Sequence, residues 1–434
     1  MKRFDLEGGG HGYVESSSAL PLVSVVVSVR SGAIADPPGK EGIGRFMTRM
    51  LRRGCEGMSA NEVDAAIDSL GAELGVDVGP TTTALHGQVI RRNLVGFVDL
   101  LARLLGKPTF AEDEIARLRR ETIAEILETR DNDRALAGLA FRRALFGTHP
   151  YARSAAGRPS SLETIAKPDV TEAYSKRFLR GDLVLGFAGA ILEEEAKELG
   201  ARLTRALPEG SAAALDLPEP VRPSGRRLVL VDKPERTQTQ TLIGTLGTLP
   251  SDPDHYPLVC ATAVLGGTFT SRMMREIRSK RGWSYGTSAR LSIERRRHAF
   301  TMSAAPGATD CAPCLELELK MLDEFVEKGV TARELAFIKN YMVRSHAFEI
   351  DTAPKRLGQE LESELLALPD GYHSKYVENV KAVELEAANA AVRTRITPKD
   401  LVVVVVGTAS ELLEKVRAAI PDLAHDEVVP FDVD

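Results

Sequence analysis

Apolar and polar positions follow several rhythms along the chain, and each change of rhythm marks an element. In "EGIGRFMTRML", residues 41–51, Ile43, Phe46, Met47, Met50 and Leu51 recur at i, i+3, i+4, i+7 and i+8, the stripe of a helix packed on a core. Arg45, Thr48, Arg49 and Arg52 are left to share its opposite side. Short apolar runs such as "VVVSV", "LVLVD" and "LVLGFAG" read as strands. Between the strands lie long helical stretches, from "SANEVDAAIDSL" through "LARLLG" to "DEIARLRRETIAEILETR", with capping serine and acidic residues at their starts. Short strands separated by long helices predict an α+β or mixed α/β class in which helices cover a sheet.

The pattern also repeats. "VTEAYSKRFLRGDLVLGFAGA" (170–190) reads as a helix, a break and an apolar strand closing on Gly189; "LEAANAAVRTRITPKDLVVVVVGTA" (385–409) reads the same way and closes on Gly407, 218 residues later. The two halves open alike as well, with "LPLVSVVVSVRSG" before the 43–51 helix and "TQTQTLIGTLGT" before a helix at 256–265. Between them, "LPEGSAAALDLPEPVRPSGRR" (207–227) is rich in Pro, Ala, Gly and Ser and reads as a linker. The expectation is therefore two homologous domains, 1–212 and 228–434, joined by a 213–227 linker.

Composition narrows the function. The chain has 434 residues, 43% of them apolar, and a net charge of −5 without long single-sign runs, which argues against a dedicated nucleic-acid or membrane-surface binder. "RLRR" (117–120) and "RRR" (295–297) read as solvated faces. Cys55, Cys260, Cys311 and Cys314 are too few to staple a chain of this length, and "CAPC" lacks the second CxxC or nearby His of a zinc set, so it reads as structural. No apolar run approaches the ~20 residues of a membrane span, so a soluble protein is expected. The N-terminal "MKRFDLEGGGHGY" has no secretion signal; cytoplasm, or periplasm after trimming of a signal, both stay open. Its "GGG" follows no strand and opens no helix, which argues against a phosphate loop. His149 in "THPYAR" reads as a loop histidine.

Stretch after stretch resembles the pitrilysin/insulinase/mitochondrial processing peptidase family in its bacterial form, built from subunits of two homologous halves. In the first half the likeness is carried by "SGAIADPPGKEGIGRFMTRML", "RRETIAEILETRDN" and "FGTHPYARSAAG". In the second it is carried by "LGGTFTSRMMREIRSKRGWSYG" and "LLALPDGYHSKYVENVKAV". The resemblance implies two domains, each an antiparallel or mixed β-sheet covered by α-helices, as in the processing peptidases. The family's zinc motif is HxxEH on the first-domain helix, with a third ligand, a Glu, farther along. Here those positions hold Arg45, Thr48 and Arg49, with Glu125 at the third-ligand position, 76 residues beyond Arg49. A guanidinium keeps its proton and has no lone pair for a metal, and a threonine hydroxyl is too weak a base to deprotonate a bound water near neutral pH. No other HxxEH or reversed pair occurs; His346 with Glu349 lacks a second His. The reading predicts that Arg45 or Arg49 pairs with Glu125 in place of zinc.

The second-half motif is intact. "TSRMMREIRSK" reads as a helix capped at Gly282 and "WSYGTSARLSI" as the strand after it, which allows Arg278 and Tyr285 to share one wall. In the family, residues at these positions contact the bound peptide and help complete the site around the scissile carbonyl, a task suited to a permanent cation and a neutral hydroxyl donor. The resemblance thus implies a non-catalytic subunit with no cofactor of its own, contributing Arg278 and Tyr285 to a homologous HxxEH-bearing partner that holds the zinc, with unfolded peptides as substrates. The alternatives are a non-proteolytic structural core subunit and a peptide-binding homodimer of the same fold.

Overall fold

The structure is a computed structural model that describes residues 1–212 and 217–433. Positions 213–216, at the start of the expected linker, lie outside the described residues. The chain forms two compact units.

The first unit is built on a six-stranded sheet. Its strands are β1 (Lys2–Asp5), β2 (His11–Ser16), β3 (Leu22–Val29), β6 (Ala72–Val78), β7 (Thr83–Ile90) and β8 (Leu183–Gly189); a small ribbon of β4 (Gly54–Cys55) and β5 (Met58–Ser59) stands apart. The order is β1-β2-β8-β3-β7-β6. β2 and β8 run parallel and the other neighbours antiparallel. The second unit has β9 (Arg226–Asp232), β10 (Gln240–Leu246), β11 (Ser284–Leu291), β12 (Ala299–Pro306), β13 (Val402–Gly407) and β14 (Leu423–Pro430), in the order β11-β12-β10-β13-β9-β14. Read from its other end, this sheet matches the first strand for strand, with a parallel β9–β13 pair where the first has β2–β8. The repeat ending on Gly189 and Gly407 is thus a repeat of sheet position: β8 and β13 are equivalent. The edge strands differ, since β1 is antiparallel to β2 whereas β14 is parallel to β9.

Each sheet has helices on both faces, which explains why β8 and β13 are apolar at nearly every position and buried throughout or almost so. In the first unit, Leu183, Leu185 and Phe187 join the main core with helix residues such as Phe46, Met50 and Phe97. Val184 and Ala188, on the other face, pack against Leu357, Leu361 and Leu365. Those leucines belong to helix Ala353–Leu366, which comes from the second half of the sequence. The second unit does the reverse, packing helix Asp133–Phe146 from the first half against β9, β10 and β13. The units accordingly consist of Met1–Ile126, Arg153–Asp216 and Ala347–Leu368, and of Leu127–Ala152, Leu217–His346 and Pro369–Asp434. The compact units differ from the expected division 1–212, 213–227, 228–434: each takes one helical segment from the other half of the chain, and Leu217 and the start of β9 at Arg226, both inside the expected linker, belong to the second unit.

One glycine per sheet makes room for the exchanged helix. A Cβ at Gly186 would stand 2.8 Å from the Leu361 side chain, and one at Gly244 2.7 Å from the Phe141 ring as well as 2.2 Å from the Phe300 carbonyl of β12. Charge fixes each helix further: Tyr13 donates to Glu364 at 2.8 Å and Arg356 to Glu15 at 2.7 Å in the first unit, while Lys233 donates to Asp133 at 2.9 Å in the second.

Candidate functional site

Helix Ile43–Met50 carries the first set of candidate residues, and its N-terminus is tied down from below. Gly42, its N-cap, has φ +91° and brings no capping side chain. Asp36 supplies the cap instead, accepting from the backbone N–H groups of Gly42 at 2.7 Å and Gly44 at 3.1 Å. The Arg177 guanidinium donates to the same carboxylate at 2.8 Å, and the two side chains are only 6% and 1% exposed. Burial pushes the Asp36 carboxyl above its ordinary value even against the Arg177 charge and the two backbone donors. Sequence reading missed this pair. Asp36 does sit in the "IADPPG" loop before the helix, but nothing around Arg177 marks it as the partner.

On the helix itself, Arg49 grips Glu125 with both ends of its fork, Nη2 to Oε1 at 2.6 Å and Nη1 to Oε2 at 2.8 Å. Arg49 Nη1 also donates to the Thr122 hydroxyl at 3.1 Å, which passes its own hydrogen to the Leu118 carbonyl at 2.8 Å. Arg45 reaches Glu125 Oε2 more loosely, at 3.4 Å. Glu125 sits one turn from Thr122 on helix Glu112–Thr129, so the clasp joins two helices. Partial burial works to raise the Glu125 carboxyl, but the Arg49 hydrogen bonds and the charges of Arg49 and Arg45 outweigh it and hold the group below the usual carboxylate range.

Thr48 does not share the polar side expected for it. The residue is fully buried, and its hydroxyl is turned back onto the Gly44 carbonyl at 2.7 Å. The helix is packed on more than one side, including by helix Lys167–Arg177, so the residue between the two arginines falls into the core. Tested as a metal site, the set does not fit: two of the four residues carry protonated nitrogens, the third has its hydroxyl turned away, and both oxygens of the fourth are engaged by guanidinium groups. Among the described residues no group of three or more His, Cys, Asp or Glu is disposed to hold a metal ion.

The second set lies in the other unit. The helix before β11 widens into a π-type turn over Met274–Ser279, with Lys280 N–H bonded to the Arg275 carbonyl five residues back. The helix ends at Ser279, and Gly282, φ +68°, takes the left-handed turn just beyond it, its N–H bonded to the Arg278 carbonyl at 3.0 Å. β11 then begins with a bulge: Ser284 pairs with Pro306 but Thr287 with Ala304, so Tyr285 and Gly286 together face one residue of β12. The Ser284 hydroxyl fills the gap in the ladder, donating to the Gly286 carbonyl at 2.6 Å and accepting from the Ala305 N–H at 3.0 Å. Tyr285 is left 87% exposed. Arg278 and Tyr285 do come together, the guanidinium carbon 4.7 Å from the tyrosine ring centroid. A residue not singled out in the sequence completes the group: the Phe269 ring lies 4.5 Å from the same carbon. Its only signal is a large aromatic in "GGTFTSR", in a segment otherwise of small and polar residues.

The remaining candidates are structural. His149 Nε2 bonds the Pro218 carbonyl at 2.9 Å and its Nδ1 accepts from the Tyr151 N–H at 3.1 Å, which leaves no nitrogen for a metal. Cys311 and Cys314 are buried, and burial pushes both thiols up, Cys311 to about 11. The basic clusters are not simply solvated faces. Arg119 donates to the carbonyls of Leu162 and Ile165, and Arg297 pairs with Asp252, because loop carbonyls and a carboxylate lie within reach of these long side chains. No described helix is long and apolar enough to cross a membrane.

Sequence profiles of one family match most of the chain: "Insulinase (Peptidase family M16)" over residues 13–158 and "Peptidase M16 inactive domain" over 164–342. Among curated relatives, an uncharacterized zinc protease, YmxG, from Bacillus subtilis is 21% identical over 92% of this chain and 96% of its own. A Helicobacter pylori protein named non-peptidase homolog YmxG is also 21% identical, over 90% of each chain. Among solved structures, a peptidase M16 inactive domain from Pseudomonas fluorescens superposes with a TM-score of 0.86 at 24% identity, over 94% of this chain and 98% of that one. A Helicobacter pylori protease gives 0.84 at 16% identity, over 93% and 98%.

Proposed function

Because the chain belongs to the insulinase (M16) peptidase family and yet carries guanidinium groups where that family's metal ligands stand, we propose that it is the non-catalytic subunit of a two-subunit zinc peptidase. The partner is a homologous chain bearing HxxEH, which brings the metal; this chain closes the chamber and offers Arg278 and Tyr285 to the bound peptide. The substrates are unfolded peptides. Within that division of labour the residues of this chain bind and orient. Arg278 presents a cation and several N–H donors, and Tyr285 a neutral hydroxyl, to the carbonyl oxygen of the peptide as charge builds on it. Asp36 and Arg177 have no part in the chemistry and anchor the helix that once would have carried ligands.

The observation that carries this reading is the clasp of Arg49 and Arg45 on Glu125, whose contacts are 2.6, 2.8 and 3.4 Å. It supplies the positive charge that a divalent ion would otherwise bring beside that carboxylate, and it leaves the chain no water-activating group there. The test is to assay the purified chain for bound zinc and for cleavage of an unstructured peptide, alone and after mixing with an HxxEH-bearing relative from the same cell. The expected result is neither stoichiometric zinc nor cleavage alone, and chelator-sensitive cleavage on mixing. Zinc-dependent cleavage by the chain alone would overturn the proposal.

A further inference from the structure

Around the π-type turn stand four cations and one acidic residue. Arg275, Lys280 and Arg281 all lie on Glu276, at 3.5, 2.7 and 3.1 Å. Arg278 is left out: among the described residues its guanidinium has no carboxylate or other acceptor, and what it has is two aromatic rings, Phe269 at 4.5 Å and Tyr285 at 4.7 Å from its central carbon. Both rings are surface groups, 73% and 87% exposed. Burial of apolar area therefore does not explain why a phenylalanine stands at 269, and a helix-end arginine needs no aromatic cover to be content in water.

The arrangement makes sense as a mount for the arginine. A free Arg side chain samples many rotamers, each aiming its fork elsewhere. A planar cation is attracted to the negative face of an aromatic ring, and contact with two rings at once restricts where that plane can lie without using any N–H group. The donors all lie on the edge of that plane, so an acceptor must approach edge-on, as a peptide carbonyl or carboxylate does. Tyr285 is placed for this by the bulge at 285–286, but its hydroxyl has its own task in the proposed function. Phe269 has no polar group and can only hold.

We infer that Phe269 is a positioning residue: it packs on Arg278 together with Tyr285 and pre-orients the guanidinium edge toward the carbonyl or carboxylate oxygen of a bound peptide. This rests on the function proposed above. Two measurements test it on Phe269→Leu and Phe269→Tyr, with Arg278→Met identifying the Arg278 signal in the first and serving as the comparison in the second. In the isolated full chain, the Arg278 Nε–H proton is read by NMR; ring currents from the two rings shift it upfield of an ordinary arginine. Phe269→Leu is expected to lose a large part of that shift while Phe269→Tyr keeps it. In the complex with the HxxEH-bearing partner, Phe269→Leu is expected to lower kcat/KM by roughly 2- to 5-fold, the scale of one exposed cation–π contact, and Phe269→Tyr to restore it. If Phe269→Leu matches the parent in either measurement while Arg278→Met impairs cleavage, the positioning role is overturned and the proposed function stands. If Arg278→Met cleaves like the parent, the proposed function falls and this inference with it.

Discussion

Glu318 lies on helix Cys311–Lys328 with its carboxyl fully buried, one oxygen accepting from the Thr241 hydroxyl at 2.8 Å and the other without a partner among the described residues. Burial pushes it up from 4.5 to about 8, so it is held as the neutral acid at neutral pH. The folded state then binds a proton that the unfolded chain releases above its ordinary value, and stability falls as pH rises from about 4.5 to about 8. Glu318→Gln, neutral throughout, is expected to lack that fall, so the gap in melting temperature between variant and parent should widen in the variant's favour from pH 5 to pH 8. A constant gap would mean that the carboxyl is not protonated in the fold. Asp36 poses the opposite case, a buried charge with its partner. Asp36→Ala leaves Arg177 buried and alone and should cost about 3–5 kcal/mol in urea unfolding, whereas Asp36→Ala with Arg177→Met should recover part of the loss. The Arg49 clasp is different again, since the Glu125 side chain is 43% exposed. Solvent screens such a pair, so its value to stability is small and its meaning lies in which groups occupy the positions.

Among the elements, the two exchanged helices explain features of the sequence that otherwise look arbitrary. A continuous run such as "LVLGFAG" is what a strand covered on both faces must have, and at its glycine, 186, a Cβ would run into Leu357 and Leu361 of the covering helix. Gly186→Val should overpack that contact at a cost of about 1–3 kcal/mol. Hydrogen exchange offers the check: amides of the 353–366 helix are expected to lose protection while β3 and β7 keep theirs. Equal loss across the whole sheet, or none, would show that the helix does not depend on the cleft at Gly186. The wide turn at Met274–Ser279 and the bulge at Tyr285 belong to the same scale. Neither has a periodic signature, and together they bring Arg278 and Tyr285 into contact.

For the whole molecule, the duplication is the governing fact. Two sheets share one strand order, and the two sets of candidate residues fall in different units, the arginine clasp in the first and the Arg278 stack in the second. If this chain lends its second unit to a partner's chemistry, Tyr285→Phe in the assembled complex is expected to lower kcat/KM by roughly 10- to 1000-fold, with the isolated chain inactive in either form. An unchanged rate would remove Tyr285 from the site.

Much of this was legible in the residues. The helix at 43–51, the central strands, the capping signals and the repeat ending on Gly189 and Gly407 follow from periodicity, because an element must bury its apolar face whatever else the chain does. The unfitness of positions 45, 48 and 49 for a metal is likewise a matter of residue chemistry, since no fold gives a guanidinium a lone pair. Other features were decided by neighbours distant in sequence. Thr48 went inward because the sheet and helix Lys167–Arg177 close over more than one side of its own helix; Asp36 found Arg177 141 residues away; Phe269 became a partner of Arg278 beside a widened turn. Each unit borrowed a helix from the opposite half because a sheet with apolar residues on both faces has to be covered twice, and periodicity along a strand does not say by which segment.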